Sequence, residues 1–187
     1  MKYRLVAILC VICLLSGCSS SSNAMEQAVR LRTAILSGEG CSFQCEITAD
    51  YGEKIYTFDM DCQADKEGNL TFTVTSPETI SGICGTLTQS EGALTFDDRV
   101  LAFETIADDN LTPVSAPWVF LKTLRNGYIK SCASTDEGFV MEIDDTYAES
   151  SLQLRIYTDT KSKPMGGEIF WNNRRILTLQ VDNFTIL

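Results

Sequence analysis

Strict apolar/polar alternation governs the first half of the chain. Cys41, Phe43, Cys45 and Ile47 alternate with Ser42, Gln44 and Glu46. Tyr56, Phe58, Met60 and Cys62 alternate with Thr57, Asp59 and Asp61. Leu70, Phe72 and Val74 alternate with Thr71, Thr73 and Thr75. A period of two sends successive side chains to opposite faces of a strand, so each stretch carries one apolar face that something must cover. The turn-forming runs Asp50-Tyr51-Gly52, Glu67-Gly68-Asn69 and Ser76-Pro77 separate the stretches. Further strands are expected near 83–89, 93–97, 99–105, 128–133, 138–144, 151–158, 165–171 and 174–181. The pattern predicts an antiparallel meander of about ten strands with one apolar face.

Two helices interrupt it. The first is expected over 24–37, where Asn23 and Glu26 have capping-box spacing, Gly38 stands as a stop, and Ala28, Leu31 and Ile35 share a face. The second is expected to start after Ser115 as cap, with Pro117 in its first turn, and to end at Asn126-Gly127. It carries Trp118, Phe120, Leu121 and Leu124, which are bulky for a short helix.

Geometry then limits the architecture. Ten strands of about 20 Å at about 4.8 Å spacing present a face on the order of 1000 Å². Two short helices cover about 400 Å² of it. A flat sheet cannot be sealed this way, so the sheet must curl around the helices. The curl leaves either an apolar hollow or a core filled by the chain's own side chains; the pattern does not decide between them. In the first case Phe43, Tyr56, Phe58, Met60, Phe72, Trp118, Phe120, Leu121 and Trp171 are the candidate walls of a ligand site. In the second they are plain core.

The N-terminus carries an address. Lys2 and Arg4 precede an apolar run over 5–15 without a charge. Eleven residues are too few for a membrane-spanning helix, which needs about 20, and suit the apolar region of a signal peptide. Leu15-Ser16-Gly17-Cys18 follows and resembles a bacterial lipobox. Small residues at 16 and 17 admit the peptidase, and the Cys18 thiolate is the nucleophile that takes a diacylglyceryl group. Residues 1–17 are therefore expected to be removed, and Cys18 to anchor the chain on the extracytoplasmic face of the cell membrane. Two acyl chains hold stably where one holds marginally. Residues 18–23, rich in serine, are expected to be a polar tether, and 24–187 a single domain.

Charge narrows the partners. The whole chain has 15 basic and 25 acidic residues, and loss of Lys2 and Arg4 leaves a net charge of −12. Such a surface repels nucleic acid and anionic headgroups. The expected associations are the membrane through the lipid on Cys18, and an apolar ligand or a lipidated or other protein partner.

The order of elements resembles the fold of the periplasmic outer-membrane lipoprotein carrier LolA and its LolB-like relatives. The segment Phe72-Thr73-Val74-Thr75-Ser76-Pro77-Glu78 with Ile80-Ser81-Gly82, then Leu94-Thr95-Phe96-Asp97, carries the likeness. Asp182-Asn183-Phe184 is similar to LolA-like lipoproteins of Gram-positive bacteria, some tied to sporulation and germination. The resemblance implies a mainly β fold with two helices: a curled antiparallel sheet forming a half-open β-barrel with a helical lid over an apolar cavity that takes acyl chains. Two departures stand out. The carriers are soluble shuttles whereas this chain is expected to be lipidated, and the carriers' lid-closing arginine has no recognisable counterpart. No functional residue is therefore carried over, and binding of something apolar, or of a partner in envelope assembly, sporulation or germination, is what the resemblance leaves.

Catalytic patterns are missing. The chain has no His, the commonest general base and metal ligand, and none of the signatures G-x-S-x-G, H-E-x-x-H, S-x-x-K or G-x-G-x-x-G. The acidic pairs Asp97-Asp98, Asp108-Asp109 and Asp144-Asp145 match no calcium loop. The chain is expected to be no enzyme and to need no metal or cofactor.

Five cysteines remain in the domain, at 41, 45, 62, 84 and 132, none in C-x-x-C spacing. The strands holding Cys41 and Cys62 should pair across the turn near Gly52. Their inward residues are odd-numbered on one and even-numbered on the other, so opposed residues must sum to an odd number. A two-residue loop at Tyr51-Gly52 sets that sum at 103 and puts Cys41 opposite Cys62, a disulfide candidate in an oxidising compartment. Two buried but reduced thiols are the alternative, and a slip of the hairpin by two residues would keep the faces and break the pairing.

Overall fold

The computed structural model describes residues 19–88, 95–96, 111–146 and 152–187. The leader, Cys18 and the strand expected at 99–105 lie outside these residues. The first helix, α1, spans Ser19–Ser37. Strands β1 (Gly40–Asp50), β2 (Ile55–Asp65), β3 (Leu70–Ser76), β4 (Cys84–Leu87) and β5 (Thr95–Phe96) follow. A short 3-10 turn, Pro113–Ser115, leads into helix α2, Ala116–Asn126. Strands β6 (Tyr128–Thr135), β7 (Gly138–Asp144), β8 (Gln153–Thr158), β9 (Pro164–Trp171) and β10 (Arg174–Ile186) complete the chain.

All pairings are antiparallel and the sheet order is β5-β4-β3-β2-β1-β10-β9-β8-β7-β6. The sheet is thus two five-stranded meanders zipped together by β1 against β10, with Cys41 opposite Ile186 and Ala49 opposite Leu177. Among the described residues its outer strands, β5 and β6, do not pair with each other, which leaves the curled sheet open there. Alternation is realised as burial: Phe43, Cys45, Ile47, Phe58, Met60, Cys62, Phe72 and Val74 point into one core with Ala28, Leu31 and Ile35 of α1 and Phe120, Leu121 and Leu124 of α2. The two helices and the open, curled antiparallel sheet are those that the LolA-like resemblance implies; the packed core is the second of the two outcomes the pattern left open.

Two expectations are corrected. Helix α1 begins at Ser19, so Asn23 lies inside it and does not cap it, and the residues expected as a tether are helical. Serine costs only a few tenths of a kcal/mol in a helix, too little to stop one whose next turns bury Ala24, Ala28 and Leu31. The β1–β2 register is also shifted. Cys41 faces Ala64 and Cys62 faces Phe43, so opposed residues sum to 105 and the Cys41–Cys62 pairing is lost. The Tyr51 amide donates to the Lys54 carbonyl at 2.9 Å, which makes Gly52-Glu53 the two-residue loop. Gly52 has φ +89° at the first central position. That is where a type II′ hairpin turn requires glycine, whereas Tyr51-Gly52 would have placed it second.

Candidate binding site on the concave face

Helix α2 lies in the hollow of the sheet because its sequence gives it three apolar sides. Ala116, Pro117, Val119, Phe120, Leu121, Thr123 and Leu124 are all buried. Phe120 is fully buried and meets β9 at Gly167. A Cβ on Gly167 would stand 3.2 Å from Cε2 of that ring and 3.0 Å from the Arg155 carbonyl oxygen, so a glycine there lets the ring reach the sheet.

Arginines tie the two helices and the sheet together. Arg32 of α1 donates from Nε to the Leu124 carbonyl at 2.7 Å, at the end of α2 where unpaired carbonyls attract cations. Arg125 is buried and donates from Nη2 to the Lys66 carbonyl at 2.7 Å. Burial pushes the Cys41 thiol up to about 11, with Arg125 pulling the other way. Burial likewise raises the Cys132 thiol against the pull of Arg32. Ser115 has the position of the α2 cap, but its hydroxyl donates back to the Thr112 carbonyl at 2.8 Å.

Eight of the nine candidate wall residues come together. Phe43, Phe58, Met60, Phe72, Phe120 and Leu121 form one core and none is more than 3% exposed. Trp118 and Trp171 are half-buried and pack against it. Lys122 Nζ stands 5.0 Å from the centroid of the Trp118 ring. Tyr56 is the exception. It has the inward parity of β2 but is 42% exposed, beyond the end of the core, and meets Tyr51 edge-on at 5.5 Å. These side chains fill the concave face among the described residues.

The opposite face of the sheet is polar. A shallow groove of about 870 Å³ runs across it, lined by Gln44, Asp61, Gln63, Thr71 and Thr73 among others. Asn183 Nδ2 donates to Gln44 Oε1 at 2.8 Å, and Gln44 Nε2 donates to Asp61 Oδ1 at 2.9 Å, linking three strands. Sequence reading missed both the groove and the two arginine ties. The groove is bordered by polar residues of the kind any outward face carries, with Phe43, Phe72 and Cys84 also reaching it. The ties join residues about 60 and about 90 positions apart in sequence, beyond the reach of local pattern.

No protein-family profile and no curated protein matches this chain. Among solved structures, an uncharacterised conserved protein from Thermus thermophilus is similar at 10% identity over 88% of each chain, with a TM-score of 0.42. A LolA superfamily protein from Nitrosomonas europaea is similar at 9% identity over 90% of this chain and 94% of that one, with a TM-score of 0.40. MucB of Pseudomonas aeruginosa, solved in complex with MucA, is similar at 9% identity over 87% of this chain and 56% of that one, with a TM-score of 0.39. Two helices on an open, curled antiparallel sheet agree with the fold class expected from the sequence. The likeness in trace extends to no cargo and no partner.

Proposed function

We propose that the protein is a lipid-anchored binding module on the extracytoplasmic face of the membrane, and that it engages a protein partner through the rim or an edge of its sheet. The observation that carries this reading is the burial, in one core, of most of the described side chains that would wall an apolar hollow. A site for an acyl chain needs a cavity of about 300 Å³ or more. The side chains that would wall it are instead packed on one another, with Phe120 seated on Gly167. Lifting α2 to admit an apolar ligand would break its ties to Arg32 and Lys66. The rim offers more. Strand β6 ends the sheet, pairing with β7 alone among the described residues, with α1 packed along it, and it exposes Tyr128 and Lys130 at the rim. Exposed tyrosines are enriched at protein interfaces.

The anchor and the partner are tested separately. Replacing Cys18 with Ala should abolish palmitate labelling and release the protein from the membrane fraction; unchanged labelling and retention would overturn the anchor. A fluorescent fatty acid titrated into the full protein should show no saturable uptake. Stoichiometric uptake that is lost on replacing Trp118 with Asp, in a variant that still melts cooperatively, would overturn the partner reading in favour of an apolar ligand.

A further inference from the structure

The corrected hairpin register brings a different pair of thiols together. Cys45 lies opposite Met60 and Cys62 opposite Phe43, so the two cysteines are diagonal neighbours on the inward face of β1 and β2. Their Sγ atoms are 3.8 Å apart and both residues are buried. Cys41, opposite Ala64, is the other diagonal neighbour of Cys62, but the sulfur contact is made with Cys45. The remaining two are placed elsewhere: Cys84 is opposite Thr73 on β4, and the Cys132 thiol points at the Met25 sulfur at 4.0 Å.

We infer that Cys45 and Cys62 form an intramolecular disulfide as the chain folds outside the cytoplasm. The inference rests on the extracytoplasmic reading above, since such bonds persist only where no reducing pool removes them. Diagonal partners, at about 7–8 Å between Cα atoms, lie just beyond the usual disulfide span of about 4.4–6.8 Å. Sheet twist shortens one diagonal at the expense of the other, and here it has already brought the sulfurs to contact. A bond of about 2.05 Å needs an approach of under about 2 Å, which side-chain rotation together with a local backbone shift supplies.

The oxidant is a disulfide-bearing dithiol oxidase of the envelope. One cysteine, as thiolate, attacks the oxidase disulfide and forms a mixed disulfide, releasing one oxidase sulfur as thiolate. The second cysteine, deprotonated, attacks the mixed bond at the first cysteine's sulfur. The Cys45–Cys62 bond forms, and the oxidase leaves as a dithiol holding the two electrons and the two protons. In the folded protein the hydrogen bond with Cys45, then burial, pushes the Cys62 thiol well up. Exchange through a thiolate therefore belongs to the stage before the core closes over the hairpin.

The test isolates the full chain from the envelope of an expressing cell, blocks free thiols with N-ethylmaleimide in denaturant at harvest so that buried thiols are reached, and digests without reductant. Chymotrypsin is the useful protease because it cuts after Phe43 and separates Cys41 from Cys45. The expected product is a linked Cys45–Cys62 peptide pair, with Cys41, Cys84 and Cys132 carrying the maleimide. Reductant should lower the melting temperature by about 5–10 °C in the wild type and leave a C45A/C62A variant unmoved. Maleimide on both Cys45 and Cys62 in envelope-bound protein overturns the bond. If the protein is found in the cytoplasm, the localisation reading fails, and refolding the same chain in oxidised and reduced glutathione decides the pairing. A Cys45–Cys62 bond then supports the inference, and any other pairing or none overturns it.

Discussion

The Phe120 ring occupies the space beside Gly167 that a side chain would claim, with Cε2 standing 3.2 Å from where a Cβ would lie. Helix and sheet meet there without a spacer, and the contact sets how deeply α2 sits in the hollow. Gly167→Ala should lower stability by about 1–2 kcal/mol, because the new methyl also stands 3.0 Å from a backbone carbonyl that cannot move aside. Phe120→Ala should cost about 3–5 kcal/mol through the cavity it leaves. The double variant should be less destabilised than the sum of the two, since the smaller side chain at 120 admits the methyl at 167. Urea midpoints for the four proteins check this, and strict additivity would mean that the two residues are not in the proposed contact.

Arg32 links the two helices across the open side of the fold. Its Nε donates to the Leu124 carbonyl at 2.7 Å, and the neighbouring Thr123 carbonyl is 3.4 Å from Nη2. Arg32→Ala should lower stability by about 1.5–3 kcal/mol, the range of a hydrogen bond made by a charged donor. The loss should be local as well as global. Amide exchange in the last turn of α2 should accelerate more than exchange in β1 or β10, which distinguishes a helix coming loose from a general weakening.

Much of this fold is visible in the residue pattern, and the misses have physical causes. Parity alone puts Phe43, Phe58, Met60 and Phe72 on the inward face, because a strand has only two faces. Parity cannot tell a register sum of 103 from one of 105, and the choice fell to Gly52, whose place in the turn selects its type. Helix α2 was legible end to end from Pro117 and Asn126-Gly127, where backbone chemistry limits the options. The start of α1 was not, since Asn23 is a good cap but tertiary burial of Ala24 and Ala28 outweighs a capping preference. Tyr56 shows the remaining limit: its alternation is right, yet its strand runs past the edge of the core. Whether the hollow is filled was illegible because it depends on the depth of α2, which one glycine on a distant strand decides.

Asp65 gives the stability a pH dependence of known sign. It ends β2 and holds the turn to β3: its Oδ1 accepts from the amides of Gly68 and Asn69, each at 2.9 Å, and its Oδ2 accepts from Asn69 Nδ2 at 2.8 Å. Slight burial alone would raise its pKa, but the hydrogen bonds from Asn69 and from the turn backbone outweigh it and hold the carboxyl below its usual value. A depressed folded pKa means that the stabilisation is present above the unfolded pKa and is lost as pH falls through the folded one. Asp65→Asn should therefore cost about 1 kcal/mol at neutral pH, the site being exposed and screened. The gap between variant and wild type should shrink as pH drops below about 4. Urea titrations at several pH values check the convergence; a gap that stays constant into acid would show that the carboxylate charge is not what the turn uses.

The β9–β10 hairpin is tuned by its two asparagines. Trp171 pairs with Arg174, and the loop residues between them, Asn172 and Asn173, have φ of 50° and 62°. Both central residues in the left-handed region define a type I′ turn, whose preferred sequence is Asn-Gly. Asparagine tolerates this backbone better than other side-chain-bearing residues, but glycine carries no penalty there. Asn173→Gly should therefore raise stability by about 0.5 kcal/mol, and Asn173→Val should lower it by about 1–2 kcal/mol because a β-branched side chain crowds the left-handed backbone. The effect should reach the neighbouring hairpin. Arg174 Nη2 lies 3.3 Å from Asp50 Oδ1, and a Cβ on Gly52 would stand 3.3 Å from the same nitrogen, so the β9–β10 tip rests on the β1–β2 tip. If the turn is disturbed by Asn173→Val, amide exchange should speed up at Gly52 and Lys54 as well as at Trp171. Acceleration confined to Trp171–Arg174 would show that the two tips move independently, and that the contact through Arg174 does not couple them.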